Sequence, residues 1–158
     1  KAQKCVHEFS KMMRYVLYDT SVAYVPLEKE ISFLEGYIDL MRLRYTDKLE
    51  IKTSFASDAD GVYVPPMLIL QFVENAFKHG ISYSKRSYIF VDIDVVDDEL
   101  ICVVTNSKHK TYSTEHSGIG MSNITKRLDL LYGNNYTLNI YDESDDQYRV
   151  KLVIPILK

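Results

Sequence analysis

The chain has 158 residues, 46% hydrophobic and 26% charged, with a net charge of -3, which suits one globular domain with a core of its own. There is no basic field to argue for nucleic acid. No apolar run approaches the roughly 20 residues that a bilayer span requires.

Residues 3–18 read as a helix, with Val6, Phe9, Met13, Val16 and Leu17 recurring at three- and four-residue spacing. Asp19-Thr20-Ser21 breaks it. Val25-Pro26-Leu27-Glu28 opens a second helix, with Pro in its first turn, whose apolar face (Leu27, Ile31, Leu34, Ile38, Met41) runs to about Tyr45. Leu49–Phe55 alternates as a half-buried strand, and the polar run from Ala56 to Gly61 is a loop. Pro65-Pro66 introduces a third helix. Tyr88–Val95 and Glu99–Thr105 form a hairpin across Asp97-Asp98. Residues 106–117 lack apolar periodicity and read as a mobile loop. A helix from about Ile119 to Tyr132 ends at Gly133-Asn134-Asn135, and two strands follow, Thr137–Asp142 and Tyr148–Ile154. Hairpins interleaved with helices predict an α+β fold, a two-layer sandwich with helices on one face of a mixed sheet. Cys5 and Cys102 lack metal-ligand spacing and read as reduced thiols. The opening residues, Lys1-Ala2-Gln3-Lys4-Cys5, contain no initiator Met and no signal peptide, so the expectation is a soluble fragment of a longer protein.

The third helix carries the most informative cluster. Asn75, Lys78 and His79 fall within one turn and share a face, while Leu68, Phe72, Val73 and Ala76 point inward. Asn offers a neutral oxygen to Mg²⁺ and Lys a point charge to phosphate. Gly118-Ile119-Gly120-Met121 stands between the polar loop and the fourth helix. Its glycines let backbone approach a ligand, and the helix N-terminus behind them presents free N–H groups to an anion. A flexible entry to a helix would explain that glycine pair alone. Its pairing with Asn75 and Lys78 supplies the parts of a nucleoside triphosphate site.

The run from Pro65 to Gly80, with Gln71-Phe72-Val73-Glu74-Asn75-Ala76-Phe77-Lys78-His79-Gly80 at its centre, resembles the N box of LytS/YehU-type sensor histidine kinases. Gly118 to Gly133 resembles their second glycine box and the helix after it. Val25-Pro26-Leu27-Glu28-Lys29-Glu30 with Tyr37 through Arg44 is similar to the segment joining their dimerisation helices to the ATPase domain. The resemblance implies a Bergerat fold of the GHKL superfamily over residues 25–158. Residues 1–24 would be an N-terminal helical extension, the remnant of a second dimerisation helix. The nucleotide would lie beneath a lid formed by residues 107–117.

By position, the resemblance makes Asn75 the Mg²⁺ ligand and aims Lys78 at the β- or γ-phosphate. His79 either assists or caps its helix. The backbone of Gly118, Ile119, Gly120 and Met121 would meet phosphate, while Asn123 and Arg127 fix the lid helix. Gln71 stands where hydrolysing relatives place a Glu base, and Gln cannot accept a proton from water, which disfavours simple ATPase chemistry. Asn106, followed by Ser107 and Lys108, occupies the first glycine box in place of Asp-x-Gly, and Gln147-Tyr148 replaces a frequent Gly-Thr. Adenine recognition would lose a charge-assisted hydrogen bond worth on the order of 1 kcal/mol.

The family's phosphoacceptor motif, His-Phe-Leu-Phe-Asn, is absent. His7 reads as a helix-surface residue, and His109 and His116 as solvated residues of the lid. The implied activity is ATP-dependent phosphorylation of a His outside these residues and thence of a response regulator. The intact protein would be a homodimer through its N-terminal helices, and this part the cytoplasmic domain of a membrane-anchored sensor. A degenerate nucleotide-binding or non-catalytic signalling module is the alternative.

Overall fold

The computed structural model describes residues 2–18, 21–45, 47–82, 84–109 and 117–157. The expected break at Asp19-Thr20, the centre of the expected lid (110–116) and His116 lie outside the described residues.

Strands β2 (Leu49–Phe55), β4 (Ser87–Val96), β5 (Glu99–Ser107), β6 (Thr137–Tyr141) and β7 (Gln147–Pro155) form one sheet in the order β2-β4-β5-β7-β6. β2 joins β4 in parallel and the remaining pairs are antiparallel, so the expected mixed sheet forms. The β4–β5 hairpin turns through Asp97 (φ 49°) and Asp98 (φ 64°), the two left-handed residues of a type I′ turn, which matches the twist of its strands. Burial alternates along β4, β5 and β7. Ile89, Val91 and Ile93 lie beside Leu100, Cys102 and Val104, which lie beside Val150, Leu152 and Ile154. Side chains alternate across a strand, so these nine line one face. Cys102 is wholly enclosed among them, and burial, with Asp92 nearby, pushes its thiol up to about 12.

Helices α1 (Ala2–Tyr18), α2 (Leu27–Arg44), α3 (Leu68–His79) and α4 (Ser117–Tyr132) complete the chain. α3 sets seven apolar residues inward, among them Leu68, Phe72, Val73 and Ala76, and packs over β4 and β5. α2 begins two residues later than the periodicity suggests. Val25–Pro26 instead forms β1, bridged to β3 (Tyr63–Val64). α1 lies on α2, with the Tyr15 and Phe33 rings 4.9 Å apart. Its other side leaves Val6 (65%), Phe9 (58%) and Leu17 (63%) exposed to solvent. No helix among the described residues is long and apolar enough to cross a membrane.

Among the described residues one carboxyl group is buried in this frame. Glu30 of α2 is 0% exposed. Its Oε1 accepts the Tyr15 hydroxyl and, at 3.0 Å, the Met67 N–H, while Oε2 has no partner among the described residues. Burial raises its pKa, and the Tyr15 and Met67 donors and the Arg127 charge counter only part of that. A carboxyl with a raised folded-state pKa contributes stability that is fully present below its ordinary value and lost as pH rises through the folded value. Glu30→Gln stays neutral throughout. The difference in unfolding free energy between Glu30→Gln and the parent, read by urea denaturation, is therefore expected to shift in favour of the variant as pH is raised above 4.5. A difference that stays constant with pH would contradict this assignment.

Candidate functional site

α3 delivers the polar cluster because its apolar residues fix its roll. With Phe72, Val73, Ala76 and Phe77 buried, Gln71 and Asn75 are left half-buried, and Lys78 and His79 exposed. Gln71 and Asn75 stand one turn apart on one face, as i and i+4 neighbours must. Gln71 Oε1 is buried and has no hydrogen-bond partner among the described residues.

α4 approaches that same face. The glycine pair forms the first turn of the helix instead of preceding it, since α4 starts at Ser117. Its first N–H groups still have no intrahelical acceptor. A β-carbon on Gly120 would lie 3.2 Å from Asn75 Oδ1, so the helix comes this near Asn75 because position 120 has no side chain. Arg127, two turns on, donates from Nη2 to the Pro66 carbonyl at 2.6 Å and pins α4 to the entry of α3. This agrees with the expectation that Arg127 fixes the lid helix.

A second close approach joins α3 to the sheet. A β-carbon on Gly80 would meet Asn106 Cβ at 2.7 Å and the Ala76 carbonyl at 2.6 Å. Asn106 extends the inward column of β5 past Leu100, Cys102 and Val104, and is 3% exposed. Its Nδ2 donates to the Ser107 carbonyl at 2.8 Å. Ser107 Oγ donates to the Gly80 carbonyl at 2.6 Å and accepts from Tyr88 N–H at 3.0 Å. The hydroxyl thus rivets the end of α3 onto two strands, a role that local pattern in the sequence does not announce. A carboxylate at 106 would face the Ser107 carbonyl where the amide now donates, so Asp there would cost the apo fold a hydrogen bond.

The departures from the first glycine box have local outlets. Lys108 donates its N–H to the Asp146 carbonyl at 2.8 Å and its Nζ to Asp142 Oδ1 at 2.6 Å, which draws the side chain toward the β6–β7 turn. His109, expected to be a solvated lid residue, is instead bonded through Nε2 to Ser87 Oγ at 3.0 Å. For His79, partial burial and then the neighbouring Lys78 charge lower the pKa, so the neutral ring is favoured and its value as a charged helix cap is reduced.

The donor set fits Mg²⁺ of a nucleotide. Among the described residues no three His, Cys, Asp or Glu side chains gather as a self-sufficient metal cage. Asn75 presents a neutral oxygen, and one turn away the buried Gln71 Oε1 has no partner among the described residues. Mg²⁺ is commonly held in this way, by one or two protein oxygens with phosphate and water filling the octahedron. A separate cleft of ≈ 420 Å³ opens between α2 and α3, lined in part by Tyr37, Arg44, Tyr45, Glu74 and Phe77. It reaches Lys78 but lies on the face of α3 next to the Asn75 face.

Two substitutions separate these contacts. Gly80→Ala forces a methyl against backbone and Asn106 Cβ, and is expected to cost about 1–3 kcal/mol in urea unfolding; a loss of less than half that would refute the close approach. Gly120→Ala meets only the Asn75 side chain, with its oxygen the one tight contact, and gains helix propensity, so stability is expected to stay within about 1 kcal/mol of the parent. The Asn75 side-chain amide resonances should nevertheless move, and unmoved signals would place Gly120 elsewhere.

A family model described as histidine kinase matches residues 1–49. The sensor protein LytS of Oceanobacillus iheyensis is 25% identical, over 98% of this chain and 29% of its own length. LytS of Staphylococcus saprophyticus is 29% identical over 90% of this chain and 27% of its own. The chain thus spans less than a third of these relatives. Among solved structures, the catalytic domain of the histidine kinase ThkA superposes with a TM-score of 0.57 at 13% identity, covering 84% of this chain and 93% of that one. Full-length ShkA in complex with AMPPNP superposes at 0.63 with 16% identity, covering 98% of this chain and 36% of that one. The expected two-layer architecture is therefore that of histidine-kinase catalytic domains.

Proposed function

We propose that this chain, a LytS-like histidine-kinase catalytic domain, binds ATP with Mg²⁺ between the Asn75 face of α3 and the first turn of α4. The observation that carries this reading is the 3.2 Å approach of position 120 to Asn75 Oδ1, which brings a neutral metal ligand and a row of free helix N–H groups to one place. Asn75 Oδ1 serves as metal ligand, with Gln71 one turn away. Lys78 meets the β- or γ-phosphate with His79 at its side. The backbone of Gly118, Ile119, Gly120 and Met121 receives phosphate oxygens, and Asn106 with Ser107 forms the base end of the site. Bound Mg²⁺ would neutralise phosphate charge.

The reaction is transfer of the γ-phosphoryl group to a His outside these residues. An imidazole nitrogen bonds to the γ-phosphorus, the bond to the β–γ bridging oxygen breaks, ADP leaves, and the imidazole proton goes to solvent. The phosphoryl group then passes to an Asp of a response regulator. This chain contributes positioning and charge neutralisation, since Gln71 offers no base for water. Residues 1–24 read as the remnant of the second dimerisation helix. The exposed stripe of Val6, Phe9 and Leu17 on α1 supports a homodimer through these helices in the intact protein. The whole protein is read as a membrane-anchored sensor with this domain in the cytoplasm. A second reading, a nucleotide module without transfer, draws on Asn106, whose amide is already bonded within the protein.

Calorimetric titration with a non-hydrolysable ATP analogue, with Mg²⁺ and with EDTA, tests the site. The parent is expected to bind in an Mg²⁺-dependent manner, and Asn75→Ala to lose that dependence with its melting temperature unchanged. A variant that binds the Mg²⁺ complex like the parent would sink the assignment. Transfer of labelled γ-phosphate to a supplied His-bearing helical segment separates the kinase from the non-catalytic module.

A further inference from the structure

Three elements converge on the two residues that lead into α3. Met67 is a non-glycine residue at φ 65°, a left-handed conformation that L side chains disfavour. It is held from both sides. Its N–H donates to Glu30 Oε1 at 3.0 Å, and the carbonyl before it, on Pro66, accepts Arg127 Nη2 at 2.6 Å. The Glu30 oxygen that holds Met67 also accepts the Tyr15 hydroxyl from α1.

Glu30 itself is fully buried, and its second oxygen has no partner among the described residues. Two donors therefore load one oxygen while the other is bare. The Arg127 charge acts on the carboxyl while its guanidinium is bonded one residue away at Pro66. Removing the Tyr15 donor leaves a buried carboxylate under-satisfied, which low dielectric makes costly. Arg127, whose charge already acts on the carboxyl, is then a compensating partner. Gln71 and Asn75 lie one and two turns beyond Met67, and Gly120 lies two turns before Arg127, so α3 starts from this junction and α4 is anchored to it in mid-helix.

We propose that Glu30 is a positioning residue that ties the placement of α1 to the geometry of α3. With Tyr15 seated, Glu30 holds the Met67 N–H and fixes the entry of α3. With α1 displaced, the carboxylate turns to Arg127 and the Pro66–Met67 entry loosens. This goes beyond the nucleotide reading, and its test requires no nucleotide.

The measurement is amide hydrogen exchange on the full chain at Met67 and at residues 71–73, the first amides of α3 with acceptors in the helix. Tyr15→Phe removes only the hydroxyl and is expected to speed their exchange about tenfold, with β4 and β5 changed less than about twofold. Glu30→Gln keeps an acceptor for the Met67 N–H and is expected to match the parent. Glu30→Leu has similar bulk and no acceptor, and is expected to reproduce the acceleration. Should Glu30→Leu fail to fold, Tyr15→Phe and Glu30→Gln still decide the matter. Unchanged exchange at Met67 in Tyr15→Phe, acceleration spread evenly over the sheet, or Gln behaving like Leu would each overturn the proposal.

Discussion

The arrangement depends on how near the end of α3 comes to the end of β5. At Gly80 there is no room for even a β-carbon above Asn106, and the Ser107 hydroxyl closes the contact by bonding one carbonyl and one N–H across the two layers. A buried backbone carbonyl at a helix terminus requires a donor, and Ser107 supplies it. That hydroxyl fastens the C-terminal end of α3 to the sheet, while the buried apolar residues set the roll that directs Asn75 and Lys78. α4 packs against this helix, and the bare backbone at Gly120 lets it come close to Asn75.

The site is built from absences of side chains as much as from functional groups. Gly80 and Gly120 both permit contacts that alanine would obstruct, one on a strand and one on a helix. Interiors transmit displacement because they are close-packed. A methyl at either place is therefore felt at Asn106 or Asn75, not absorbed locally. The polar groups around them are divided between work inside the fold and availability outward. Asn106 and Ser107 are engaged, while Gln71 Oε1 is buried and unmatched among the described residues. Lys108, in a position where the resembled family has glycine, is tied off on Asp142 and Asp146.

Much of this was legible in the sequence. The roll of α3 followed from Phe72, Val73 and Ala76, and that roll brings Asn75 and Lys78 outward. The β4–β5 hairpin followed from its alternation across Asp97-Asp98. Other features were hidden for physical reasons. Ser107 looks like any strand-end serine, because its acceptor is a carbonyl 27 residues earlier. The β1–β3 bridge is two residues on each side, too short for periodicity to register. Glu30 sits among charged residues in the first turn of α2, a place where acids usually face solvent near the helix dipole. Its burial arises only because α1 and the entry to α3 close over it. Read locally, the glycine pair favours a loop and predicts a later start for α4, and the packing against Asn75 overrides that preference.

The parallel pairing of β2 with β4 has a consequence for how the domain assembles. The β4–β5 hairpin closes locally, across the two-residue turn Asp97-Asp98. β2 can join only after residues 56–86, with α3 among them, have crossed over and returned. Parallel neighbours require such a crossover, and its long loop must be closed before the pairing stabilises anything. α3 is therefore both the crossover and the bearer of Asn75 and Lys78. The pairing that completes the sheet edge thus has high contact order and has to wait for the segment that bears the candidate site to cross over.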